Sequence, residues 1–322
     1  MTAALRFSLA YAALAIGLDV FLRGGVELRL ASSLAASASP FTYNEILLIG
    51  LPVLIGLALL FRPGGAETLR RIVLALGVTV LVQSAYSTVK ADMPLITPFF
   101  ADPWLARADA ALHGGTDPWR ILHDAFPHLP TFPGDVIYLT SWTAVALGLP
   151  VLVAATDGDP VRRRHAIGLW VAIWPLLGNA MALLGLSGGP VFHDRLTGLD
   201  HFADLAGAQA AAGIDLANAG RLMDLLWDLH SEDAQVLGSG ISAFPSMHVA
   251  AATLAAFYLS ERMPWLAPIA FCWAATILFL SVWYGWHYAL DGYVSALIVG
   301  GAWLVLRRHR GPSRDVASAM PA

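Results

Sequence analysis

Apolar residues along this chain fall into eight runs, at about 5–22, 44–61, 71–89, 136–155, 165–186, 243–260, 264–283 and 289–306. Each meets or approaches the roughly 20 residues that an α-helix needs to cross the hydrocarbon of a bilayer. The sixth and seventh runs are separated only by Ser260–Met263, which predicts a tight helical hairpin. Two long polar connections remain, 90–135 and 187–242, and a polar tail, GPSRDVASAMPA, is expected to be disordered. The first run could imitate a secretory signal. The nearest Ala-x-Ala-like site, within AASAS at 35–39, lies too far beyond it for ordinary cleavage, so a retained first helix is expected. Inside the polar connections, ADPWLARADAALHGG places Trp104, Leu105, Ala108 and Leu112 at helical spacing, and RLMDLLWDLH (221–230) does likewise. Both predict amphipathic helices on the outer leaflet, as plain surface helices or as a lid or acceptor groove.

Composition agrees with spanning helices. The chain is 57% hydrophobic and only 13% charged, where a soluble domain has about a quarter of its residues charged. A net charge of −4 gives no reason to expect nucleic acid as a partner, and a single cysteine, Cys272, excludes an intramolecular disulfide. Basic residues mark cytoplasmic loops. With eight helices and the N-terminus inside, Arg6, Arg62, Arg70, Arg71, Arg162–Arg164, Arg262, Arg307, Arg308, Arg310 and Arg314 all fall on one side. A seven-helix count would put RRR (162–164) and RRHR (307–310) on opposite sides. The expectation is one membrane domain over 1–310, both termini cytoplasmic, in a bacterial inner membrane.

That topology gives two distant histidines one depth, near the outer interface. His287 and Asp291 lie four apart at the start of the last run, and so on one helix face. A carboxylate on one imidazole nitrogen fixes the tautomer and leaves the other nitrogen free to attack an electrophile. The same pair also fits a helix cap beside an interfacial histidine. The stretch GISAFPSMHV reads as a helix start, with Pro245 and Ser246 in the positions that begin and cap helices. Unpaired amides there suit an anion. His248 would look onto it, placed to give or take a proton, although a capped helix with a surface histidine is equally compatible. Taken together, the two stretches describe a metal-free phosphoryl-transfer site that needs no cofactor; a metal site from His248, His287 and Asp291 is the alternative, with a spacing that matches no zinc motif.

FPSMH followed by WHYALD resembles the second and third signature motifs of the type 2 phosphatidic acid phosphatase superfamily. Met247, where the phosphatases carry glycine, makes the stretch more similar to the branch of inositol phosphorylceramide synthases and sphingomyelin synthases. The resemblance is specific over roughly 240–300 and looser over 84–120 and 187–196. It implies an all-α integral membrane protein with a catalytic helical bundle over about 71–306. It also implies that His287 is a nucleophile forming a phosphohistidine, that Asp291 is its partner, that His248 is the acid–base group, and that Ser246 contributes to the phosphate pocket. Two arginines of the phosphatase motifs are replaced, by Ser281 and by Thr97 at the end of Lys90-x6-Thr-Pro. Lys90, Arg195 and the turn at Gly189 are the candidates to hold phosphate in their place. The function implied is a lipid phosphotransferase working from a phospholipid donor to a lipid or polyol hydroxyl. The alternatives are a lipid phosphate phosphatase, on phosphatidic acid or a polyprenyl diphosphate, and a non-catalytic transporter or scaffold.

Overall fold

A computed structural model describes residues 1–23, 64–232 and 240–309, which form twelve helices and no strand. They are α1 Thr2–Arg23, α2 Gly65–Ile96, α3 Asp102–Leu112, α4 Pro118–Ala125, α5 Thr131–Thr156, α6 Pro160–Leu184, α7 Pro190–Thr197, α8 Leu205–Ala211, α9 Asn218–Ser231, α10 Met247–Arg262, α11 Pro264–Trp283 and α12 Ala289–Arg308. Six of them (α1, α2, α5, α6, α11 and α12) are long and apolar enough to cross a membrane. The protein is an all-helical integral membrane protein. The expected span over 44–61 and the tail at 311–322 lie outside the described residues.

The sixth expected span is α10, and it differs from the rest. At sixteen residues it is ~24 Å long, short of a ~30 Å hydrocarbon core. Its sequence, MHVAAATLAAFYLSER, is apolar on every side and rich in alanine. A helix of that kind has no solvent or lipid face and lets its neighbours approach closely. Accordingly α10 sits at the centre, against α5, α6, α11 and α12, with Ala250, Ala252, Leu254, Ala256 and Tyr258 fully buried. Gly292 and Gly300 of α12 pack directly on the side chains of Leu278, Val249 and Phe257, where a β-carbon would have little room.

α5 and α6 each contain a wide, π-helical stretch, over Val136–Ser141 and Trp174–Met181. In α6 the cause is legible: Pro175 has no amide to donate, so the ladder is re-formed around it. Each insertion shifts the side chains that follow it around the helix axis, and both stretches border the cavity described below.

One end of the bundle brings Met1, just before α1, together with Arg70 and Arg71 of α2 and Arg163 and Arg164 of α6. At the other end Arg23 of α1 bonds Asp92 of α2 at 2.8 Å and Asp19 at 3.3 Å. Asp19, an expensive residue inside an apolar run, is therefore held by a guanidinium one turn away. It follows that α1 and α2 run side by side in the same direction, and that Arg23 and Gly65 stand at opposite ends.

The Trp104–Leu105–Ala108–Leu112 stripe of the outer helix α3 is divided between the bundle and the surface. Asp102, Leu105, Ala106 and Asp109 are buried, while Trp104 and Leu112 are exposed. The face that docks carries two carboxylates, because each has backbone amides to accept from.

Candidate functional site

Ser246 starts α10 as its N-cap, its hydroxyl accepting from the Val249 amide at 3.3 Å. His248, in the first turn, is clamped between two aromatic rings of α5. Its ring stacks on Tyr138 at 4.4 Å and 7°, and on Trp142 at 4.0 Å and 28°. The indole N–H of Trp142 also donates to the His248 carbonyl at 3.0 Å.

His287 lies in the connection between α11 and α12, its amide donating to the Ser281 carbonyl at 3.2 Å. Its Nδ1 is 3.3 Å from Oδ2 of Asp291. The same oxygen accepts from the Tyr288 amide at 3.1 Å, so Asp291 is the cap of α12 and the partner of His287 at once. The two readings of that carboxylate are not exclusive. Burial first, and the Lys90 ammonium second, hold the His287 imidazole well below its ordinary value, so it rests neutral.

The two histidine rings lie 5.8 Å apart between centroids, edge to face at 64°. Main chain joins their segments, since the Ser246 amide donates to the Asp291 carbonyl at 3.2 Å. Both histidines open onto a cavity of about 270 Å³. Its walls are mostly apolar, with Leu139 and Trp142 from α5, Phe192 from α7, and Leu222 and Leu226 from α9. Among the described residues lining it, Lys90 is the one lysine or arginine.

A family model described as the PAP2 superfamily matches residues 103–305, a stretch that holds both histidines and Asp291 and begins past Lys90. The chain belongs to the PAP2 superfamily. Searches of the curated proteins and of the solved structures gave no significant match. PAP2 members are generally phosphatases or phosphotransferases, so membership supports a membrane enzyme of that type acting on lipids.

Not every residue expected at a PAP2 phosphate pocket reaches this cavity. Lys90 does. Arg195 does not line it, and its guanidinium lies over the Trp227 ring at 5.1 Å from the centroid. Gly189 has φ +83, a β-carbon there would run into the Trp286 carbonyl, and its amide donates to Asp102. Ser246 is fully buried behind Met247 and His248, and its hydroxyl is engaged in capping.

The residues that sequence reasoning missed are on α3 and α5. Asp102 accepts from the amides of Gly188 (2.8 Å) and Gly189 (3.0 Å) and from the Tyr288 hydroxyl (2.8 Å). Asp109 accepts from the amides of Ala289 and Leu290, each at 2.9 Å. One outer helix thus clasps the glycine turn and the start of α12, two residues beyond His287. Burial pushes both carboxyls above the usual range, opposed by the amide bonds that favour the ionised form. Asp102-Pro103 was visible as a helix start, yet nothing local announces partners 86 to 186 residues away. Tyr138 and Trp142 carry a weak signal, an i, i+4 aromatic pair in an apolar run, which membrane helices commonly contain.

Proposed function

We propose that the protein is a lipid phosphotransferase, similar in reaction to inositol phosphorylceramide synthases, that works through a phosphohistidine on His287. The observation that carries this reading is the pair of adjacent histidines over a cavity in which Lys90 is the one lysine or arginine among the described lining residues. One ammonium matches the single negative charge of a phosphodiester. A monoester dianion would need further charge-assisted donors, of the kind the two replaced arginines supply in the phosphatases.

With its Nδ1 proton directed at Asp291, neutral His287 attacks phosphorus through Nε2. The P–O bond to diacylglycerol breaks, and His248 gives its proton to the departing oxygen. The imidazolium so formed is offset by the Asp291 carboxylate. In the second half, His248 takes the proton of an acceptor hydroxyl, its oxygen attacks phosphorus, and the P–N bond breaks to return His287 neutral. Lys90 stays against the phosphate oxygens throughout. The acceptor is a lipid or polyol hydroxyl, favoured over water by the apolar walls that α7 and α9 supply.

The same reading puts the cavity on the periplasmic or exterior side of a bacterial inner membrane and the termini in the cytoplasm. Its support is the gathering of Arg70, Arg71, Arg163 and Arg164 at the end of the bundle away from the histidines.

The test is turnover of phospholipids labelled in phosphate and headgroup, in mixed micelles with chelator, with and without a hydroxyl lipid. A new phospholipid that needs the acceptor and disappears in His287→Ala supports the transferase. Release of phosphate or phospho-headgroup regardless of acceptor refutes it in favour of the phosphatase. Turnover that persists in His287→Ala refutes the phosphohistidine.

A further inference from the structure

A second concavity, of about 610 Å³, opens at the opposite end of the bundle between α1, α2 and α6. Four arginines line it, Arg70 and Arg71 of α2 and Arg163 and Arg164 of α6, against one carboxylate, Glu67. Glu67 is shared: it binds Arg70 at 2.7 and 2.9 Å and lies 3.8 Å from Arg71. Arg163 donates to the Asp157 carbonyl at 2.8 Å, which fixes its position without cancelling its charge. Arg164 is exposed.

These charges stand where the fold itself opposes them. α1, α2 and α6 all begin at this end, so three positive dipole ends converge on the arginines. Cations near a helix start are disfavoured, and Glu67, the one carboxylate among the described lining residues, does not balance four of them. The excess among the described residues is complementary to an anion. Above the arginines the wall is apolar, formed by Phe7, Ile167 and Val171, with Ala4, Gly168 and Ala172 leaving the space open. Phe7 is 47% exposed. A polar anion would use only the arginine rim, whereas a lipid uses both parts, headgroup on the arginines and acyl chain along α1 and α6.

We infer that this groove is a binding site for an anionic phospholipid of the leaflet opposite the histidine cavity. It is a separate site, and its occupant is bound rather than turned over, because among the described residues lining it there is no histidine and no paired acid–base group like that of the other cavity.

The full-length protein in detergent is titrated with dioleoylphosphatidylglycerol, with dioleoylphosphatidylcholine and with inorganic phosphate. Thermal unfolding is the readout, because a ligand of the native state raises Tm. The glycerol lipid should raise Tm beyond both other additions, and this excess should be lost in Arg71→Gln/Arg164→Gln while activity at the histidine cavity is kept. Arg164→Gln alone, at an exposed side chain, should lose part of it and covers the case in which the double variant folds poorly. Equal shifts from the two lipids, a phosphate shift as large as the lipid's, or an excess that survives the variants would each overturn the inference. Phosphatidylglycerol held in the histidine cavity would give the last of these.

Discussion

Replacing Asp109 by asparagine removes one oxygen and adds a donor where both neighbours are donors. The carboxylate receives the amides of Ala289 and Leu290 at 2.9 Å each and is 2% exposed. Asparagine can accept one of them. The other is left buried without a partner, at a cost of about 1–3 kcal/mol. Loss of an ionised acceptor at the start of α12 adds ~1 kcal/mol. Asp109→Asn should therefore lower stability by roughly 2–4 kcal/mol in a detergent unfolding assay, a large part of the 5–15 kcal/mol typical of a folded chain. The effect reaches the chemistry, since His287 is two residues before Ala289. A displacement of about 1 Å there costs ~10²-fold in rate, which should fall on kcat and leave KM for the donor near wild type. If Asp109→Asn unfolds as wild type does and turns over at the wild-type rate, α3 does not position His287.

Tyr138→Phe keeps the ring that covers His248 and should retain most of kcat, whereas Tyr138→Leu should lose it by tenfold or more with the donor KM little changed; equal rates would remove the clamp from the account. His287 is held neutral by burial, so in acid the unfolded chain binds a proton that the folded one refuses. Stability should fall as pH drops below about 6.5, by up to ~1.4 kcal/mol per pH unit from this group, and His287→Gln should flatten that fall in thermal melts across pH 5–7. Gly189→Ala, at φ +83 and against the Trp286 carbonyl, should destabilise by at least ~1 kcal/mol; wild-type melting would show that the turn can yield.

The paired motifs were legible because their chemistry is local. A proline and serine start a helix, a histidine sits in its first turn, and a carboxylate one turn from His287 can reach it. The charge pattern likewise read correctly in gathering Arg70, Arg71, Arg163 and Arg164 at one end. What stayed hidden depends on partners far along the chain. Arg195 and Gly189 stood as phosphate candidates without sign of their partners, Trp227 32 residues on and Asp102 from another helix. The docking face of α3 was hidden for a related reason. Its two aspartates are buried because four amides and a hydroxyl from distant segments wait for them. The wide stretch in α5 was invisible too, and with it the side-by-side placement of Tyr138 and Trp142 around one imidazole.

The shortness of α10 bears on how reactants meet. Under the proposed orientation, a helix ~24 Å long centred in hydrocarbon ~30 Å thick would hold its first turn, which carries His248, just inside the rim. A lipid already in the leaflet can present its phosphate there by sinking slightly, with its tails still among other tails. A water-soluble phosphate ester would have to shed its hydration to make the same descent. At that depth, position alone would sort substrates before any side chain touches them, favouring molecules that arrive laterally, through the membrane, over those that arrive from the aqueous phase.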